Sequence, residues 1–136
     1  MRKVRKKDWD FILELRNNRD FRKFFYNQHT ITKKEHYNYL QKQQKNPNFV
    51  NWIISIGNKN VGYVRILDND VSIIIDKKHQ GRGIGTKVIK LIEIEAKKIG
   101  IKKLVAKVMI FNKNSKKIFE KNGFKPLMYW LEKEIN

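Results

Sequence analysis

Of the seven glycines in this 136-residue chain, three fall within five residues, in Gln80-Gly81-Arg82-Gly83-Ile84-Gly85. The stretch follows an apolar run, Val71-Ser72-Ile73-Ile74-Ile75, and precedes a segment with helical periodicity. A helix start presents N–H groups with no partner in the helix, together with the positive end of the helix dipole. Glycines there let the backbone approach a bulky anion and take positive φ. Arg82, Lys77 and Lys78 add charge. Together these features make a pyrophosphate cradle; Gly-x-Gly alone fits an ordinary strand-to-helix turn as well. Two other phosphate loops are excluded. The dinucleotide fingerprint Gly-x-Gly-x-x-Gly needs glycine at position 86 or 88, where Thr86 and Val88 stand, and Gly-x4-Gly-Lys-Ser/Thr is absent.

The elements that must hold this loop follow from pattern. Residues 71–75 predict a strand whose Ile-Ile-Ile run suits burial on both faces. Ile84, Val88, Leu91, Ile92 and Ile99 mark one helical face, and Gly100 stands where a C′ glycine closes a helix. Residues 103–110 predict the next strand, so strand, helix and strand form a βαβ unit with parallel strands. Upstream, residues 3–6 predict a short strand, and Asp8 reads as the N-cap of a helix over about 9–18. Thr32 opens a helix over 33–45, with Glu35 completing a capping box. Residues 49–56 and 61–67 read as antiparallel strands about the turn 57–60, and Asp68-Asn69-Asp70 as a further turn. Residues 114–122 predict a helix closed by Gly123, and 124–135 one or two short final strands. The expected fold class is α/β: one domain over 1–136, with a mixed, mostly antiparallel sheet, one parallel βαβ unit and helices on both faces.

Composition narrows the partners. The chain has 31 basic and 13 acidic side chains, a net +18. Such a charge favours polyanions. The basic residues are mostly lysines, scattered along the chain rather than gathered in a stripe, so nucleic acid is disfavoured. No cysteine is present, which excludes disulfides and thiolate metal sites, and His29, His36 and His79 are too dispersed to suggest a metal cluster. No apolar stretch approaches the roughly 18 residues of a membrane span, and no apolar run follows the charged N-terminus, so a cytoplasmic protein is the default expectation. In the first helix Trp9, Ile12 and Leu13 form an apolar stripe whose next place is Arg16, followed by Asn17. Polar groups continuing an apolar face need partners, either structural or a ligand.

Residues 80–85 fit Gln/Arg-x-x-Gly-x-Gly/Ala, which resembles the acetyl-CoA pyrophosphate loop of the GNAT N-acetyltransferases. Asn112-Lys113-Asn114-Ser115-Lys116-Lys117-Ile118-Phe119-Glu120-Lys121-Asn122-Gly123-Phe124 is similar to that family's second signature, and the order of elements agrees along nearly the whole chain. Leu15-Arg16-Asn17, then Ile31-Thr32, Glu35-His36 and Tyr39-Leu40, resemble patterns of one branch. That branch acetylates ribosomal-protein N-termini or nucleotide-linked amino sugars, as in pseudaminic acid synthesis; its usual Trp is Leu15 here.

The resemblance implies direct transfer from a thioester to a neutral amine, with a donor for the oxyanion and an exit for the proton. It implies that the backbone N–H of Ile75 meets the thioester oxygen. Lys77, Gly81, Arg82, Gly83, Ile84, Gly85 and Thr86 would hold the pyrophosphate, and Gln80 would brace the loop or touch the cofactor. Asn112 and Ser115 would lie near the pantetheine arm or cap their helix. Asp70 is the candidate base, acting through water, with a turn aspartate as the competing reading. Arg16, Asn17 and His36 are candidates for acceptor binding, with an internal tie as the competing reading for the first two; a guanidinium suits a phosphate or carboxylate. Phe119 stands where the family commonly has a Tyr that returns a proton to the thiolate, leaving water, another tyrosine such as Tyr129, or unassisted departure. The implied function is acetyl-CoA-dependent N-acetylation of a small amine, narrowly a nucleotide-linked amino sugar. Acetylation of a protein or peptide N-terminus and a non-catalytic CoA- or nucleic-acid-binding module are the alternatives, and a homodimer is left open.

Overall fold

The computed structural model describes residues 1–136. In chain order the elements are β1 (Arg2–Lys3), α1 (Trp9–Asn17), α2 (Arg19–Arg22), α3 (Lys33–Gln43), β2 (Phe49–Ile56), β3 (Lys59–Leu67), β4 (Asp70–Ile75), α4 (Ile84–Lys98), β5 (Val105–Ala106) and α5 (Lys113–Lys121). The five strands lie side by side in sequence order. The first four pair antiparallel, and β4 pairs parallel to β5 across the α4 crossover. The fold is therefore the expected mixed α/β sheet.

Strand alternation divides the core in two. Trp52, Ile54, Val64, Ile66 and Val71 project toward α4 and α5, where Val88, Ile89, Ile92, Ala96 and Phe119 meet them. Ile53, Tyr63 and Ile74 project the other way, onto Trp9, Ile12, Leu15, Phe21 and Leu40. Helices thus cover both faces. Ile12, Ile53, Ile66 and Ile92 are fully buried, each worth about 1.5–3 kcal/mol relative to exposure. Gly62 marks a point of close approach, since a Cβ there would lie 2.4 Å from the Ile74 carbonyl oxygen. It sits opposite Ile54, beside the one irregularity in the β2–β3 register.

Several expectations shift. On α4 the buried stripe is Gly85, Val88, Ile89, Ile92 and Ala96, while Leu91 and Ile99 are exposed. The small residues Gly85 and Ala96 let the helix lie close to its neighbours, which rotates the contact face away from the bulkiest positions. Asp8 does not cap α1 with its side chain. It accepts two 2.8 Å bonds from Arg2 and one from the Arg5 N–H, and charge-assisted bidentate bonds outweigh a neutral cap. That clamp also stops β1 at Lys3, before the turn over Lys6–Asp8. The strand expected over 103–110 shrinks to two residues, because β5 pairs with β4 only at Asp70↔Val105 and Val71↔Ala106. With so short an edge to pair with, residues 124–135 form no strand, and Leu127 to Leu131 are exposed.

Candidate functional site

The short β4–β5 ladder makes a cleft. Asp76 N–H donates to the Val61 carbonyl at 2.8 Å, which sets the alternation along β4. The N–H groups of Ser72 and Ile74 point toward β3, and those of Ile73 and Ile75 point the opposite way. On that side β5 has already ended its pairing at Val71, so both amides face the space between parting strands, about 7 Å from one another. Ile75 was expected here. Ile73 was missed, because a long fifth strand would have covered it; the alternation rule finds it once β5 is known to be short.

The loop at the mouth of this cleft has an open backbone. Asp76 starts it by accepting from the His79 N–H and contacting His79 Nδ1 at 2.5 Å. Gln80 Nε2 donates to the Ile75 carbonyl at 2.9 Å, bracing the loop to the strand end. Gly81 and Gly83 take φ of +78° and +76°, with no atom near the positions a Cβ would occupy. Gly83 is the N-cap of α4, so the N–H groups of Ile84, Gly85 and Thr86 precede the first intrahelical bond, Lys87 N–H to Gly83 carbonyl. Those of Gln80 to Gly83 also meet no protein acceptor, giving seven consecutive free amides. Lys77 and Arg82 extend into solvent beside them. Gly85 has a second role: a Cβ there would lie 3.3 Å from Ile118 Cδ1, so its lack of a side chain seats α4 on α5.

The second signature lies on α5, which packs against the start of α4 through Ile118. Asn112 caps α5 by accepting from the Ser115 N–H at 3.2 Å. Phe119 is buried and stacks edge-on against Phe124, with centroids 4.9 Å apart. A core position with no polar partner suits Phe. Tyr129 is exposed in the terminal segment.

On the other face of the sheet a polar group gathers. Asn51, Arg65 and Ser72 occupy one cross-strand row. Asn51 Nδ2 donates to the Tyr63 hydroxyl at 3.1 Å. Burial, against smaller opposing influences from Asn51, Arg16 and Arg65, pushes the Tyr63 phenol up to about 12. Arg65 Nη1 donates to the Asp70 carboxylate at 3.2 Å and to its carbonyl at 3.0 Å. Asp70 opens β4 and is not a turn residue; its Oδ1 is buried without a partner. Arg16 lies over the Phe25 ring at 5.4 Å. Desolvation lowers its pKa, and Arg65 nearby adds to the effect.

The other two acceptor candidates have internal partners. Asn17 exchanges two 2.8 Å bonds with the backbone of Ile31, closing the loop between α1 and α3. His36 is 2% exposed, and its Nε2 meets the Trp9 carbonyl at 2.8 Å. Burial pulls its pKa down, only partly opposed by that carbonyl. The ring thus ties α3 to α1 through Nε2.

A parallel βαβ unit whose helix start carries free amides, set against a splayed strand pair with two more, defines an α/β domain with an anion cradle at the mouth of a cleft. The chain matches the acetyltransferase (GNAT) domain family over residues 1–125 and belongs to it. A domain from Methanocaldococcus jannaschii is 30% identical, with a TM-score of 0.80 over 91% of this chain and 86% of that one. An uncharacterized protein of the same organism is 30% identical over 136 residues, 92% of this chain but 28% of that protein, so the chain spans little more than a quarter of that relative's length. Spermidine N-acetyltransferase from Vibrio cholerae, solved with CoA and spermine, shares the fold with a TM-score of 0.85 at 20% identity, covering 98% of this chain and 85% of that one. The family is one of acetyltransferases. No helix is long and apolar enough to cross a membrane.

Proposed function

We propose that this chain transfers the acetyl group of acetyl-CoA to the primary amine of a small acceptor, narrowly a nucleotide-linked amino sugar. The observation that carries the reading is the run of seven free amides from Gln80 to Thr86 at the mouth of a cleft edged by Ile73 and Ile75. Amides at a helix start, with Arg82 and Lys77 beside them, suit a diphosphate. The open space above Gly81 and Gly83 lets it reach the backbone. Asn112 and Ser115 border the arm that runs from the diphosphate into the cleft.

The amine attacks the thioester carbon, and the carbonyl oxygen takes the electron pair. The Ile73 or Ile75 N–H stabilises that oxygen, at no cost in reorganisation because the strand already holds it in place. The C–S bond then breaks, the sulfur leaves with its electrons, and the amine's proton departs through water. Asp70 is the carboxylate toward which that water relay runs; Arg65 keeps it oriented. Phe119 has no proton to give, so solvent protonates the thiolate.

Calorimetry with acetyl-CoA tests the donor half. Micromolar binding that falls at least tenfold in Arg82→Glu is expected; a folded wild type that does not bind refutes it. CoA release measured across amino sugars, nucleotide-linked amino sugars and N-terminal peptides then tests the acceptor.

A further inference from the structure

We infer that the acceptor carries an anionic group, a carboxylate or a phosphate, seated on Arg16 beside Tyr63 and Arg65. This rests on the acetyl-transfer reading above and names the chemical class of its acceptor. Arg16 is half-buried, yet it takes part in none of the six ion pairs and donates no hydrogen bond to the protein. The charged or ionisable groups that act on it are Tyr63, Arg65 and Tyr39, with no carboxylate among them. Withdrawing a cation from water without a counter-ion is costly, and a second guanidinium nearby raises that cost. A structural arginine would be expected to carry its own partner, as Arg65 does in Asp70 and Arg2 in Asp8.

The neighbours have the same polarity. Tyr63 accepts from Asn51, so its oxygen is partly satisfied, while its own O–H has no acceptor. A phenol held up to about 12 keeps that proton at neutral pH. Arg65 spends Nη1 on Asp70, and its Nε and Nη2 bond to nothing in the protein. Arg16, Arg65 and Tyr63 therefore offer unused donors, and with Asp70 paired to Arg65 the charge left over is that of Arg16. The complementary ligand group has only acceptors and is negative; bidentate binding by a guanidinium meets that need. Arg65 pairs in register with Ser72, next to Ile73, so an anion here belongs to a molecule whose amine can reach the cleft. A polyamine would bring cations against two guanidinium groups. The likeness to the spermine-bound enzyme is one of fold, and these side chains argue against that acceptor class.

The test titrates the CoA-saturated protein, so that the loop is filled, with matched probes. Glucosamine 6-phosphate against glucosamine reads a phosphate; alanine against alaninamide reads a carboxylate; spermidine is the cationic control. At least one probe bearing the anionic group should bind about 10–100-fold tighter than its counterpart lacking it, the scale of a charge-assisted contact. In Arg16→Gln that preference should fall to within about twofold, with CoA affinity and melting temperature kept, and Arg16→Lys should restore part of it. Equal binding of a probe and its counterpart lacking the anionic group, tighter binding of spermidine, no binding of glucosamine 6-phosphate or alanine, or a preference that survives Arg16→Gln overturns the inference. Loss of CoA binding in the wild type would instead overturn the acetyl-transfer reading. The same probes on the CoA-free chain would then still decide whether Arg16 holds an anion.

Discussion

Replacing Gly83 by alanine tests the loop at its most constrained point. Gly83 holds φ +76° with nothing within 4 Å of a Cβ, so alanine meets no steric clash with the rest of the protein. What remains is the backbone penalty of the left-handed region, about 1–2 kcal/mol. With an unfolding entropy of roughly 0.3 kcal/mol/K for 136 residues, that lowers Tm by about 3–7 °C. If the chain relieves the strain by rotating φ, the amides of Ile84 and Gly85 turn away from the diphosphate. Each lost charge-assisted bond costs about 1.5–3 kcal/mol, or about 10–100-fold in Kd for acetyl-CoA. Gly100→Ala is the matched control. Gly100 has φ +83°, equally open space, and the opposite end of the 15-residue α4 as its place, about 22 Å away. It should lower Tm similarly and leave CoA affinity unchanged. Thermal unfolding and calorimetry of both variants decide. Gly83→Ala with CoA affinity within twofold of wild type, or Gly100→Ala weakening CoA equally, would refute the loop assignment.

Three further outcomes are expected. Arg82→Glu places a negative charge beside the free amides and should weaken acetyl-CoA at least tenfold, by calorimetry at fixed salt, with melting unchanged. Asn17→Ala removes both bonds to Ile31 and frees the loop between α1 and α3. It should raise the acceptor KM several-fold and leave CoA affinity alone, as steady-state CoA release would show. For His36, the folded pKa lies below its ordinary 6.5 because of burial. The unfolded chain therefore takes the proton first as pH falls. Stability is full above about 6.5 and declines below it until the folded value is reached, with a slope of at most about 1.4 kcal/mol per pH unit. Urea unfolding between pH 7.5 and 5 should show that slope, and His36→Gln should lose it. Asp8 titrates below its ordinary 3.8, since Arg2 holds its pKa down, so the two windows stay apart.

Much of the frame is local information. Apolar alternation placed β2 and β3 within two residues, and helical periodicity with Gly100 bounded α4 closely. The loop is legible for the same reason: glycines between a strand and a helix start act through backbone geometry, which neighbouring residues control. The terminal strands were misjudged because pairing is not local. Residues 103–110 and 124–135 have the composition of strands, but a strand forms only against an available edge, and β5 parts from β4 after two residues.

The site divides along the same line. Sequence determined that a helix start with glycines and Arg82 follows a buried strand, because those conformational and electrostatic preferences belong to the residues themselves. The partners of polar side chains were decided by tertiary structure, since a contact between separate helices and loops, or across a strand pairing, leaves no pattern in either residue's own neighbourhood. Thus Asn17 met Ile31, His36 met Trp9, and Asp70 met Arg65. Arg16 came through the same packing with Tyr63 and Arg65 as neighbours and no counter-ion. The three candidates at the front of the chain looked alike in sequence. Asn17 and His36 each bond to backbone in the folded chain, and Arg16 kept a charge that folding did not neutralise.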